Sequence, residues 1–150
     1  MAGYSGTPLP RKLGIKEGHL VAFRGAPATF GETLGELPDG VTVRSRVSVP
    51  RSASAQRLDV VVAFFTRRSD FERRLPKMME ALEVDGALWI SWPKGSSGVP
   101  TDITEDVVRD VGVARGMVDN KVCAIDETWS GLRLVYRRDD RAKIRAARSA

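Results

Sequence analysis

Apolar positions along the chain fall into short runs whose spacing alternates between the period of a strand and that of a helix. Residues 19–24 (HLVAFR), bounded by Gly18 and Gly25, predict a first strand. Residues 28–37 place Phe30, Leu34 and Leu37 at helical spacing, and Gly31 and Gly35 weaken that helix. Pro38-Asp39-Gly40 is a turn signal, because proline fixes φ and glycine accepts positive φ. Residues 41–47 then alternate, with Val41, Val43, Ser45 and Val47 on one face, as a half-exposed strand does. A loop over 48–57 leads into residues 58–65 (LDVVVAFF). This continuous apolar run is the pattern of a strand covered on both faces in a parallel sheet.

The second half repeats the alternation. Ser69 with Glu72 forms a capping box for a helix whose stripe is Phe71, Leu75, Met78, Met79 and Leu82. Pro76 inside that stripe predicts a kink or a division. Asp85-Gly86 reads as a turn into a central strand over 87–92, followed by a flexible loop over 93–100. Asp102 with Glu105 forms a second capping box, for a helix carrying Ile103, Val107, Val108 and Val111. Residues 121–127 and 132–138, linked by a short segment containing Gly131, read as a hairpin.

The resulting order, β-α-β-β-α-β-α-β-β, predicts an α/β, Rossmann-like protein. Its sheet is mostly parallel, with helices on both faces and a C-terminal antiparallel β-hairpin. The chain divides into an N-terminal arm (1–18), a single domain (19–138) and a basic tail (139–150).

Composition changes this picture little. A chain of 150 residues, 42% hydrophobic and 29% charged, suits one globular domain. Its longest apolar run, residues 60–65, is a strand's length and far short of a membrane span. The first eight residues lack the apolar core of a signal peptide, and the single cysteine cannot form an internal disulfide. A cytoplasmic protein is the expectation. The net charge of +5 is concentrated: residues 137–150 carry six basic side chains against two acids, leaving a nearly neutral remainder.

The strand–helix alternation closed by a hairpin resembles the class I methyltransferase fold over roughly residues 13–137. "LGIKEGHLVAF" is similar to the lead-in to that fold's first strand, "LDVVVAFF" to its fourth and "LEVDGALWISW" to its fifth. The resemblance implies a glycine-rich turn after the first strand and an acid at the end of the second, both serving S-adenosylmethionine (SAM). The chain departs at both places. The turn is Arg24-Gly25-Ala26-Pro27-Ala28-Thr29, with one glycine and a proline lacking an amide donor, and the second strand ends Arg46-Val47-Ser48. No G-x-G-x-x-G follows strand one, which also argues against a dinucleotide site. A further resemblance, on "AGYSGTPLPRKLGIK", "LWISWPKGSSGVPTDITEDVVR" and "VDNKVCAIDETWSGLRLVYRR", is to the bacterial family DUF3052, of unknown function. It supplies a fold of the same kind and no activity.

Candidate chemistry is sparse. The loop 92–98 follows a central strand, where ligands of open α/β sheets bind, so Trp92, Lys94, Ser96 and Ser97 are candidate ligand residues together with Gly25. Lys94 suits a phosphate or carboxylate, with Ser96 and Ser97 as further donors; the alternative is a connector whose helix is already capped. Tyr4 and Lys12 of the arm are candidates to line the same site, or else the arm simply covers the crevice. Asp119, Asn120, Asp126 and Glu127 are more simply hairpin residues than metal ligands. Cys123 and His19 lack an orienting partner as nucleophile and base. Of the tryptophans, Trp89 reads as core and Trp129 as a turn residue marking a contact surface.

The expectation is therefore a non-catalytic or regulatory domain on a degenerate methyltransferase-like scaffold. It would bind a small anionic ligand or a protein partner and need no cofactor and no metal. The alternatives are a divergent SAM-dependent methyltransferase or other transferase, and a nucleic-acid-associated protein using the basic tail. The tail lacks the aromatics that interleave with cations in nucleic-acid binders.

Overall fold

Side chains along the central strands alternate between two buried sets, and that division organises the molecule. The computed structural model describes residues 6–149; Tyr4 lies outside them. β1 (Leu20–Arg24), β2 (Thr42–Arg44), β3 (Leu58–Phe64), β4 (Leu82–Pro93), β5 (Met117–Ala124) and β6 (Trp129–Tyr136) form one sheet in the order β2-β1-β3-β4-β6-β5. The first four are mutually parallel, while β6 runs antiparallel between β4 and β5. The α/β, Rossmann-like class with its closing hairpin is the observed one.

One face, the helix face, carries Val61, Ala63, Leu88, Ile90, Trp92, Leu132 and Leu134. It is covered by α3 (Arg68–Ala81) through Phe71, Leu75 and Met78, by α4 (Glu105–Ala114) through Val108 and Val111, and by α5 (Arg141–Ser149) through Ile144. The opposite, arm face carries Val21, Val60, Val62, Phe64 and Trp89. Leu13 and Ile15, which follow α1 (Leu9–Lys12), cover it together with Phe30 and Leu34 of α2 (Phe30–Leu34). The Trp89 indole N–H, fully buried, donates to the Leu13 carbonyl at 3.0 Å and ties the arm to the sheet.

Several local expectations are corrected. α3 runs unbroken through Pro76, because the buried stripe on both sides holds the helix together. Neither predicted capping box forms. Asp102 instead accepts the Arg68 backbone N–H at 2.6 Å and so caps α3 from another element, while Thr104 caps α4 by accepting from the Val107 N–H. Glu72 pairs with Arg68 at 2.6 Å. Asp85-Gly86 makes no turn: β4 begins directly after α3 and passes through both residues. A Cβ on Gly86 would lie 2.8 Å from the Asp59 carbonyl, so glycine permits the close backbone approach where the β3–β4 register shifts. The strand over 41–47 shrinks to the three exposed residues of β2, at one edge of the sheet.

The basic tail forms α5. Arg148 donates to the carbonyls of Leu82 (2.7 Å), Met79 (3.1 Å) and Glu80 (3.2 Å), and its guanidinium stacks over the Tyr136 ring. Tyr136 in turn donates its hydroxyl to the Met79 carbonyl. No helix among the described residues is long and apolar enough to cross a membrane.

Candidate functional site

The carboxyl ends of β1, β3 and β4 converge where an open α/β sheet offers its crevice. β1 ends at Arg24, and Gly25 turns the chain with φ at 67°. A Cβ there would lie 3.0 Å from the Phe64 carbonyl, so the turn presses backbone against the end of β3 in a way only glycine accommodates. The Arg24 guanidinium donates to the same carbonyl at 3.5 Å and lies 4.7 Å above the Phe65 ring. Its half-burial and the nearby Arg74 charge lower its pKa, partly offset by Asp70, yet a guanidinium remains charged throughout the accessible range.

An aromatic series runs beside this turn on the arm face. Phe23 meets Phe30, Phe30 meets Phe64 and Phe64 meets Trp129, each pair edge-to-face with ring centroids 5.1–5.2 Å apart. The series joins β1, α2, β3 and β6, and its members lie more than a hundred residues apart at the extremes, so no local periodicity announces it. Trp129 is accordingly half-buried against Phe64 rather than presented to solvent.

The loop after β4 is more ordered than its composition suggests. The Lys94 backbone N–H donates to the Thr128 carbonyl at 2.8 Å, fastening the loop to the hairpin turn. The Ser97 hydroxyl donates to the Lys94 carbonyl at 2.7 Å and accepts from the Val99 N–H at 3.2 Å, closing a single 3-10 turn over Gly95–Ser97. Ser96 is exposed and Lys94 half-buried. Trp92 is buried in the core of the helix face.

Gly25, Lys94, Ser96 and Ser97 thus share the carboxyl end of the sheet. Lys12 does not join them. It lines a groove with His19, Asp59 and Ala87 at the amino ends of the strands.

The remaining candidates resolve into structural roles. Asp126 accepts the N–H groups of Thr128 (2.8 Å) and Trp129 (2.7 Å), shaping the hairpin turn, and Glu127 is exposed beside it. Asp119 pairs with Arg109 at 3.0 Å, and Asn120 accepts from Arg133 at 3.1 Å. Cys123 sits opposite Gly131 toward the carboxyl end of the sheet, whereas His19 precedes β1 at the amino end and accepts from the Lys16 N–H at 3.1 Å. Burial raises the Cys123 thiol pKa, opposing thiolate formation.

No family model and no curated protein matches this chain, so the resemblance to DUF3052 gains no support. Solved structures do match. A putative type 11 methyltransferase from Sulfolobus solfataricus aligns with a TM-score of 0.58 at 15% identity, over 86% of this chain and 89% of that one. The DhpI–SAH complex gives 0.58 at 11%, over 87% and 83%. A SAM-dependent methyltransferase from Aquifex aeolicus gives 0.53 at 18%, over 83% and 85%.

At these identities the likeness establishes the methyltransferase-like fold. It also overturns two expectations. The non-catalytic scaffold and the cofactor-free site both give way, because the similar structures are methyltransferases and one of them carries SAH.

Proposed function

We propose that the chain is a divergent SAM-dependent methyltransferase whose cofactor lies across the carboxyl ends of β1 and β3. The observation that carries this reading is the Gly25 turn. In a sheet of this topology it stands at the end of the first strand, and a Cβ there would meet the Phe64 carbonyl at 3.0 Å.

The fit to the cofactor is to one half of the molecule. The Gly25 turn supplies backbone free of side chains for the methionine part, and the edges of Phe23, Phe64 and Trp129 supply an apolar wall. At the end of β2, where a carboxylate would accept from ribose hydroxyls, stand the exposed Arg44 and Arg46. A guanidinium donates to a hydroxyl oxygen but accepts nothing from it, so the ribose is held, if through these residues, by the reverse polarity. When bound, SAM supplies an activated methyl group. The chain's own part would be to hold and orient: Arg24, fixed over Phe65, would meet the cofactor carboxylate, and the loop 93–98 would form the rim. The DUF3052 resemblance adds no activity to this reading.

Calorimetric titration with SAM and SAH tests it. We expect a dissociation constant near about 10 μM for at least one of them. Arg24→Ala, which leaves the core intact, is expected to weaken that binding about tenfold. An absence of binding heat from both compounds at about 1 mM would overturn the reading.

A further inference from the structure

At the amino ends of the parallel strands, the end of the sheet opposite the site above, the arm face opens into a groove of ≈ 460 Å³. Five cations line it: Arg11, Lys12, Lys16, Lys121 and Arg133. Its two acids are already engaged. Asp59 accepts the Leu20 backbone N–H at 2.8 Å, and Asp85 is held by Arg145 at 3.2 Å and Arg141 at 3.8 Å. Among the described residues, none of the five groove cations has a carboxylate within 4.0 Å.

Arg133 is the most telling of them. It rises from β6 half-buried, and its side-chain partner is the neutral amide of Asn120. Burial and the Arg141 charge both lower its pKa, the sign of a cation taken partly out of water without a counter-ion. Lys121 leans the same way, donating to the Lys12 carbonyl at 3.3 Å and so bringing its ammonium against α1. Like charges drawn together this way repel one another, and the repulsion is relieved when an anion enters.

The chemistry of the lining selects the anion. A guanidinium beside ammonium groups matches the oxygens of a phosphate, which accepts several charge-assisted hydrogen bonds at once. The volume falls in the range of small-molecule sites, roughly 300–1,000 Å³. Among the described residues no phenylalanine, tyrosine or tryptophan lines the groove, whose one ring is the His19 imidazole, already accepting from the Lys16 N–H, and the cations gather in a recess instead of along a stripe. A small ligand fits these features better than a nucleic-acid strand.

We propose that this groove binds a small, soluble phosphorylated ligand through its phosphate, with Arg133 and Lys121 as the principal contacts. The proposal is independent of the methyl-transfer reading, since the two sites stand at opposite ends of the sheet.

The probe is pyrophosphate, titrated into isotopically labelled protein and followed by backbone amide shifts. Saturable shifts at residues 11–16, 119–121 and 133, with a dissociation constant of about 1 mM or tighter, are expected. Arg133→Gln and Lys121→Gln are each expected to weaken binding about tenfold. Lys121 is exposed, so its variant keeps the fold even where the Arg133 variant loses stability. Linear, unsaturated shifts would overturn the proposal, as would unchanged affinity in Lys121→Gln. Two further arms use a single-stranded oligonucleotide and vesicles of anionic lipid. Tighter binding of either than of pyrophosphate would replace the small ligand with a polyanion or a membrane surface, and the proposal would fall.

Discussion

The two faces of the sheet are closed by different means. On the helix face, α3 and α4 lay down regular stripes and α5 adds Ile144, so the buried contacts are many and individually ordinary. On the arm face, a five-residue helix and the segment around Leu13 and Ile15 cover a smaller set of strand residues. There the closure depends on a few large groups: the Trp89 indole with its bond to the Leu13 carbonyl, and the edge-to-face series from Phe23 to Trp129. A face built from repeated small contacts degrades gradually under substitution. A face built on few anchors fails at those anchors.

That contrast is open to measurement by chemical unfolding. Trp89→Ala should be the most damaging change, about 3–5 kcal/mol, because it removes a fully buried indole and orphans the Leu13 carbonyl. Leu75→Ala on the helix face, equally buried, should cost less, about 2–3 kcal/mol; a cost equal to or above that of Trp89→Ala would erase the contrast. Arg148→Ala follows at about 1–2 kcal/mol. Its bonds to three carbonyls at the α3–β4 junction are charge-assisted but partly solvated. Ser91→Ala should be the mildest, within about 1 kcal/mol and in the stabilising direction. Ser91 is fully buried on β4, and among the described residues its hydroxyl has no hydrogen-bond partner to lose. A clear destabilisation there would mean the hydroxyl holds a partner after all.

The same contrast governs what the amino-acid sequence revealed. The helix face was legible because Phe71, Leu75 and Met78, or Val108 and Val111, repeat at a spacing that periodicity detects. The central strands were legible for the same reason: the run over residues 58–65 needs nothing beyond its neighbours to be read. The arm face was not. Leu13 and Trp89 are 76 residues apart, and nothing near either one signals the other.

Capping failed as a reading in the same way. Asp102 and Ser69 looked like local caps, yet the carboxylate that satisfies the start of α3 comes from 34 residues away. At the site, Gly25 was visible as a lone glycine after a strand, while the aromatic wall beside it and the placement of Lys12 at the other end of the sheet required the fold itself. The departures from the cofactor motifs leave the methyltransferase-like fold intact, and under the proposed function they alter how a cofactor is held.

The register shift that separates Asp119 from Lys121 on β5 reaches beyond the groove it helps to shape. β5 is the longer free margin of the sheet, and unpaired margins invite strands from other molecules. By interrupting the row of amide and carbonyl groups midway and setting a lysine beside the break, the bulge denies a neighbouring chain an unbroken ladder. The opposite margin, β2, achieves the same end by brevity, with Arg44 at its close. The sheet is thereby protected at both borders against growing by the addition of foreign strands.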